Sequence, residues 1–175
     1  MICYFFPETT YFFFSSDVPA LLYYAHIPTI VISLFVGFYV FLNGKQFLLN
    51  RLLFIITILF SLWTTINLVT WTNIHSDLIM FVWSFFSLIL SLLAIFCIYF
   101  IYVFLEKKDV SIQIKTIFLV LLAPSLLLAS TTFNLSGFDI ANCDGFKFEW
   151  LPFKIYYTSL GMLAIIWIFV FLIRQ

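Results

Sequence analysis

This chain has few side chains of the kinds that act in catalysis or bind metals, and these side chains form no recognisable catalytic or metal-binding pattern. The sequence contains no HExxH motif, no GxSxG motif and no glycine-rich phosphate loop. Its two histidines and three cysteines are widely spaced, so they supply no short-range set of metal ligands. We therefore expect no enzymatic activity, no cofactor and no metal site in this chain.

Two residues stand out because their chemistry is unusual for their surroundings. His26 is a titratable group in the first turns of a long apolar run. It is either a pH-responsive element or, as we favour, an interfacial side chain that touches headgroups or water. Pro124 interrupts another apolar run, and a proline inside a helix removes one backbone hydrogen bond and bends the helix. Pro124 is therefore a candidate hinge, with a static kink as the favoured alternative.

The elements that position these residues are five long apolar runs, which we predict to be membrane-spanning helices. Lys115, near the start of the fourth run, is the only Lys, Arg, Asp or Glu within them. About 20 apolar residues at 1.5 Å per residue cross the roughly 30 Å hydrocarbon core of a bilayer. A chain that is 65% hydrophobic and 9% charged is suited to lipid rather than water. The predicted fold is an all-α polytopic membrane helix bundle with five transmembrane helices, Ala20–Leu42, Leu52–Trp71, Leu78–Leu105, Ile114–Phe133 and Ile155–Ile173.

The distribution of basic residues predicts the orientation of the bundle, because cytoplasmic loops are enriched in Lys and Arg. If the N-terminus lies outside, six of the eight basic residues fall on the inner side, and only Lys147 and Lys154 fall on the outer side. We therefore expect the N-terminus outside and the C-terminus in the cytoplasm. The six inner residues are Lys45, Arg51, Lys107, Lys108, Lys115 and Arg174.

Residues 1–19 precede the first run and lack the basic start and unbroken apolar core of a secretory signal. We interpret this segment as an aromatic stretch at the outer interface, or as residues upstream of the natural start.

Cys3 and Cys143 both fall outside in the predicted topology, so an oxidising compartment would allow them to pair, although we favour unpaired thiols. Cys97 lies within the third span, where a small apolar packing role is expected.

Small and hydroxylated residues recur at helical spacing in the second and third spans. Stripes of this kind let helices approach closely and form hydrogen bonds across their interface. We favour this packing role over a solute pathway. The stripes consist of Thr57, Ser61, Thr64, Thr65 and Asn67 in the second span, and of Ser84, Ser87, Ser91 and Ala94 in the third.

The longest polar gap, Asn134–Lys154, is the most unusual connection in the chain. Gaps of this length without clear secondary structure are often functional or disordered. This gap carries four Phe and one Trp, which is too aromatic for a solvated linker. We therefore expect it to fold back over the outer mouth of the bundle. Asn134-Leu135-Ser136 also matches the acceptor pattern for N-glycosylation, which often arises by chance.

Short motifs, each apolar and weak by itself, follow one another in a characteristic order between Val18 and Trp167. They are Pro19–Pro28, Leu62-Trp63, Asp77–Ser84, Tyr99–Phe104, Pro124, Asn134–Asp139 and Asn142-Cys143. This order resembles the N-terminal seven-transmembrane sensor region of membrane histidine kinases, in the version found in small uncultured bacteria. The motif in the outer loop is the most specific of the set.

The chain departs from that family in two respects. Tyr156, Tyr157 and Thr158 stand where the family is expected to carry an acidic residue early in the fifth span. The family also has seven spans followed by a kinase. This sequence ends at Gln175 without a phosphoacceptor histidine, ATP-binding glycines or a coiled-coil linker. We expect a truncated gene or a shortened relative, with no kinase activity in residues 1–175.

The leading hypothesis is a membrane sensory domain of histidine kinase type in the bacterial inner membrane, which perceives an outer or intramembrane signal. The resemblance implies a lipid bilayer around the chain, a homodimer, and a cytoplasmic kinase or response regulator as partner, without nucleic acid. The alternatives are a small transporter or channel subunit and a membrane scaffolding or assembly subunit. The expected reception surface combines the outer loop, Asn134–Pro152, with the outer ends of the first and third spans. Its candidate ligand-binding residues are His26, Trp83, Asn134, Phe138, Asp139, Asn142 and Trp150.

Overall fold

The structure is a computed structural model that describes residues 18–44, 47–73, 76–135 and 150–173. Within these residues the chain is helical, with short turns and no β-strand, as the apolar runs predict. Cys3, Cys143 and most of the segment 1–19 lie outside the described residues, so the predictions about them stay predictions. The helices are α1 (Ala20–Asn43), α2 (Phe47–Thr72), α3 (Ser76–Ser84), α4 (Phe86–Glu106), α5 (Ile112–Leu128) and α6 (Leu151–Ile173).

Four stretches of helix are long and apolar enough to cross a bilayer, so the structure is compatible with a multi-pass membrane protein. They are Ala20–Asn43, Leu48–Thr72, Leu78–Glu106 and Leu151–Phe171. The fourth predicted span, Ile114–Phe133, corresponds to α5, whose 17 residues cover about 26 Å at 1.5 Å per residue, slightly less than a bilayer core. The prediction that this helix continues to Phe133 was wrong. The helix ends at Leu128, and residues 129–134 form turns.

The third predicted span is not one continuous helix. Helix α3 ends at Ser84, Phe85 occupies a turn, and α4 begins at Phe86. The Phe85 amide donates to the Val82 carbonyl at 3.3 Å, a bond to the third preceding residue that tightens the backbone locally. The segment contains neither Pro nor Gly, so no local residue type accounts for the break.

Helix α4 is at the centre of the bundle. Helix α1 packs mainly on α2, α2 packs in turn on α4, and both α5 and α6 pack on α4. Small side chains on α4 and α6 allow a close apolar interface between these two helices. This cluster of buried residues consists of Ala94, Ile95, Leu160 and Ala164.

The outer faces of the helices are apolar. Phe35 on α1, Leu127 on α5 and Ile173 on α6 are 70%, 73% and 81% exposed, respectively. Water would not tolerate so much exposed apolar surface, whereas lipid tails solvate it. The exposure therefore agrees with the sequence-based prediction that lipid surrounds the chain.

Two glycines permit close packing of α1 on α2. Gly37 lies against Thr57, and a β-carbon on Gly37 would overlap the Thr57 side chain. The position of Gly44 after Asn43 predicts a left-handed helix cap. That prediction was wrong, because Gly44 is extended, with φ −81° and ψ 140°. The Asn50 amide group packs against Gly44, so a β-carbon there would require the Asn50 side chain to move.

Candidate functional site along helices α4 and α5

Asn134 lies in the turn after α5 and ties that turn to the break between α3 and α4. Its side-chain nitrogen donates to the Ser84 carbonyl and to the Ala129 carbonyl, both at 2.8 Å. Ser84 ends α3, and the last carbonyls of a helix lack partners within the helix. Asn134 is only 2% exposed. Its amide therefore supplies a part-buried carbonyl at the end of α3 with a donor and makes a tertiary contact beside the break at Phe85.

Two serine hydroxyls join α4 to α5 farther along the helices. Ser91 Oγ and Ser125 Oγ are 2.7 Å apart, and both residues are completely buried. Ser91 also donates to the Ser87 carbonyl at 2.8 Å. A hydroxyl has one proton to donate, so Ser125 must be the donor in the bond between the two serines. The pair is thus an ordered chain of hydrogen bonds that runs from α5 to the α4 backbone.

Pro124, the candidate hinge, lies beside Ser125 inside α5. Proline has no amide proton, so it leaves a carbonyl of the preceding helical turn without its usual partner, and its ring crowds that turn. The Tyr156 hydroxyl of α6 donates to a carbonyl in this turn, that of Leu121. The segment around Pro124 is therefore held by α4 through Ser125 and by α6 through Tyr156. A hinge motion at Pro124 stays a prediction.

A third polar connection between α4 and α5 lies at the opposite end of α4. The Asp109 carboxylate, in the turn between the helices, accepts hydrogen bonds from the Tyr99 hydroxyl at 2.5 Å and from the Lys115 ammonium at 2.6 Å. The Val110 amide also donates to it, at 2.7 Å. These donors, Lys115 first, hold the pKa of Asp109 below its ordinary value.

Polar bonds thus lie at three heights along this hairpin. The Ser91–Ser125 pair and Asp109 connect α4 to α5, and Asn134 connects the turn after α5 to the end of α3. The direct packing of α4 on α5 is less extensive than that of α4 on α6, so polar bonds carry much of the connection. Such an arrangement can transmit a displacement along the hairpin. Within the described residues, no group of three or more His, Cys, Asp or Glu side chains is placed to hold a metal.

Three predicted ligand-binding residues lie at the Asn134 end of the bundle. Trp83 stacks on Phe86 across the α3–α4 break, with ring centroids 4.6 Å apart and planes inclined by 2°. Trp150 contacts Phe133, the residue before Asn134, with ring centroids 5.3 Å apart. The structure therefore brings Trp83, Asn134 and Trp150 to one end of the molecule. Their role in a reception surface stays a prediction.

His26 lies on α1, which packs mainly on α2 rather than on α4. Its Nδ1 atom is 2.8 Å from the Leu22 carbonyl, which can only accept a hydrogen bond, so Nδ1 carries a proton in this contact. The other predicted residues, Phe138, Asp139 and Asn142, lie outside the described residues.

Residues of the two hydroxyl stripes take part in different helix interfaces. Thr57 of α2 faces α1, because it packs against Gly37 and its carbonyl accepts a bond from Ser33 Oγ at 3.3 Å. Ser91 of α4 faces α5, where it accepts a bond from Ser125, whereas Ala94 belongs to the buried cluster between α4 and α6. These three residues therefore contribute to helix packing at three interfaces.

A shallow crevice of about 250 Å³ lies between α4 and α6. Its lining is mostly apolar and includes Gly161, where an added β-carbon would meet no atom within 4 Å. The crevice lacks the convergent polar groups that are typical of a ligand site. It is not part of the connection between α4 and α5.

Sequence reasoning did not identify Tyr99, Asp109, Lys115 or Tyr156 as residues that join helices. Tyr99 and Asp109 belong to a helix and the turn after it, so no helical period relates them. The usable signal was the short turn of residues 107–111, which brings an acidic residue close to the ends of both helices. Tyr156 gave no comparable signal, because its partner is a backbone carbonyl.

In comparisons with known proteins, no family model matches the chain, and neither a curated protein nor a solved structure matches it. Function must therefore be argued from the residues of this chain. The resemblance to sensor regions of histidine kinases stays a prediction.

Proposed function

We propose that the chain is a membrane-embedded sensory domain of histidine kinase type, with its N-terminus outside a bacterial inner membrane. The observation that supports this function best is the Asn134 amide, which ties the turn after α5 to the α3–α4 break. A signal received at the outer loop, or in the membrane beside it, shifts Asn134 and changes the direction in which α4 leaves the break. Helix α4 carries the change to Asp109 and Lys115 at its other end.

Sensing requires two arrangements of the bundle to which the stimulus binds unequally, since equal affinity shifts no equilibrium. The turn at Phe85 and the proline at position 124 interrupt the regular backbone hydrogen bonds of α4 and α5. Bending at such points costs less than bending an intact helix. The Ser91–Ser125 bond joins α4 to α5 beside Pro124. In the proposed mechanism it keeps α4 and α5 in register while the ends of these two helices move.

The output of the proposed domain is cytoplasmic. By analogy with sensor kinases, two copies of the chain associate and pass the change to a kinase or response regulator. Residues 1–175 then perceive a signal without phosphorylating a partner. Autophosphorylation by the purified chain would contradict this division of roles.

Replacing Asn134 tests the coupling between the two ends. In Asn134→Ala both donors to the Ser84 and Ala129 carbonyls are lost. We expect faster amide hydrogen exchange not only around Phe85 but also in the turn of residues 107–111, measured in lipid nanodiscs by mass spectrometry. The exchange rate in the turn of residues 107–111 is the informative measurement, because a purely local role for Asn134 would not change it.

Asn67→Ala provides the matched control. The Asn67 amide donates to the Trp63 carbonyl of its own helix at 3.2 Å, so the same chemical group is removed without loosening a connection between helices. This control should leave the turn of residues 107–111 unchanged. If exchange in Asn134→Ala rises only beside the substitution, the proposed coupling is wrong.

A membrane scaffolding or assembly subunit is the second candidate, and α1 is the observation that favours it. Only 6% of the most apolar window of α1 is buried, compared with 44% for α2. A helix held mainly by one neighbour presents a long surface to a partner or to lipid. Co-purification with a fixed partner, together with insensitivity to substitutions at Asn134, would favour this function.

A small transporter or channel subunit is the third candidate. It needs polar faces that line a water-filled path, but Thr57 of α2 and Ser91 of α4 face different neighbours. Solute flux through liposomes that contain the purified chain would favour a transport role despite this geometry.

A further inference from the structure

The turn between α4 and α5 displays a surface that combines basic and apolar side chains. We call it the inner basic patch and define it as Phe104, Lys107, Lys108, Ile112 and Lys115. Phe104 and Ile112 are 46% and 76% exposed. The patch lies where two membrane-embedded helices end, which places its lysines at the level of lipid headgroups.

Lys107 has an unusual conformation. It is the only residue other than glycine with positive φ, at 55°, in the described part of the chain. This left-handed conformation normally favours glycine at the end of a helix. The Lys107 ammonium lies 4.5 Å from the centroid of the Phe104 ring. The side chain thus follows an exposed apolar ring at the end of α4.

The charges of the patch are only partly balanced. Lys115 is 2.6 Å from Asp109, whereas Lys108 is 3.5 Å from Glu106 in a pair exposed to solvent. Residues 106–115 contain three lysines but only two carboxylates, Glu106 and Asp109. Lys107 lies over an aromatic ring rather than beside a carboxylate. The surface therefore carries excess positive charge directly beside exposed apolar side chains.

We propose that the inner basic patch binds the phosphate of an anionic phospholipid headgroup. Lys107 and Lys108 bind the phosphate, while Phe104 and Ile112 contact the glycerol region and the first acyl carbons. Lysines beside a membrane attract anionic lipids, and apolar neighbours add contact that a free anion cannot use. Asp109 holds Lys115 and fixes the start of α5 behind the patch.

The test measures the binding of individual lipids to the purified full chain in a neutral detergent by native mass spectrometry. The probes are phosphatidylglycerol, which is anionic, and phosphatidylcholine, which has the same phosphate but no net charge. We expect the parent chain to bind phosphatidylglycerol more tightly. Lys107→Gln and Lys108→Gln should each weaken that binding by about five-fold and weaken phosphatidylcholine binding much less, because that headgroup has no net charge.

Two further variants separate charge from folding. Glu106→Gln removes the carboxylate beside Lys108 and should strengthen phosphatidylglycerol binding, a gain that a damaged fold would not produce. Replacing Lys107 and Lys108 by Arg keeps both charges and should preserve the preference. Equal binding of the two lipids by the parent, or unchanged phosphatidylglycerol binding in both Gln variants, would overturn the proposal.

Inorganic phosphate distinguishes a lipid site from a site for free anions. In a millimolar excess it should not displace phosphatidylglycerol, because it lacks the apolar part that contacts Phe104 and Ile112. Displacement by inorganic phosphate would show that the patch binds free phosphate, and the lipid assignment would be wrong.

Discussion

Ser91 and Ser125 are both completely buried, and their hydroxyl oxygens lie 2.7 Å apart across the α4–α5 interface. Each hydroxyl would lose a partner if the other were removed. We expect Ser91→Ala and Ser125→Ala each to lower the free energy of unfolding by about 1 kcal/mol. The double variant should lose less than the sum, because both single changes break the same bond.

Unfolding with sodium dodecyl sulfate in mixed micelles measures these differences. Ser130→Ala, in an exposed turn, is the control and should have little effect. Strictly additive losses for Ser91 and Ser125 would show that the two hydroxyls do not stabilise the bundle through each other.

Gly37 and Gly161 are predicted to respond in opposite directions to the same substitution. Gly37→Ala places a methyl group against Thr57 and should lower the free energy of unfolding by about 1–3 kcal/mol through overpacking. Gly161→Ala meets no neighbouring atom and should raise it by up to about 1 kcal/mol, because glycine is unfavourable within a helix. The same unfolding titration measures both variants. Equal effects would mean that α1 does not approach α2 closely at Gly37.

Tyr156→Phe tests how far the segment of α5 around Pro124 depends on its bond to α6. Losing the hydroxyl that donates to the Leu121 carbonyl should cost about 1 kcal/mol of unfolding free energy. In a Pro124→Ala background the cost should be smaller, because a regular helix keeps its carbonyls within its own hydrogen bonds. A double-mutant cycle gives this difference. The same cost in both backgrounds would separate the tyrosine bond from the proline.

Asp109 should make stability depend on pH in acid. Its pKa is lower in the folded protein than in the unfolded chain, chiefly because Lys115 donates to it. A lowered pKa gives stability that is complete above the unfolded pKa, ordinarily near 4, and is lost as the pH falls through the folded value. Unfolding titrations from neutral to acidic pH should therefore show a loss of stability below about pH 4.

The control for this pH dependence is Asp109→Asn, which removes the titrating group. This variant should be less stable than the parent at neutral pH and should lose less stability in acid. An identical acid profile in the parent and the variant would assign the pH dependence to other carboxylates.

The helical content and most helix positions could be predicted from sequence, because apolar runs of this length have few structural solutions in lipid. The predicted span Ala20–Leu42 corresponds closely to α1, whereas the break at Phe85 was not predictable. The break involves a hydrogen bond between Asn134 and Ser84, residues that are far apart in the chain. No local periodicity contains such information.

The candidate site was only partly predictable for the same reason. Asn134, Trp83 and Trp150 could be selected as polar or aromatic residues near predicted helix ends, and the structure brings them to one end of the bundle. Asp109 and Tyr156 were missed, because their roles depend on which helices become neighbours.

The sequence by itself indicates that lipid, rather than water, surrounds the helices. Long runs of Phe, Leu and Ile cannot stay exposed to water, and their lengths match the thickness of a bilayer. Only the tertiary structure decided which polar groups meet. In lipid every helix face is acceptable to the solvent, so apolar periodicity does not say which faces pack together. That choice depends on close approach at small residues and on hydrogen bonds such as those of Asn134 and Ser91.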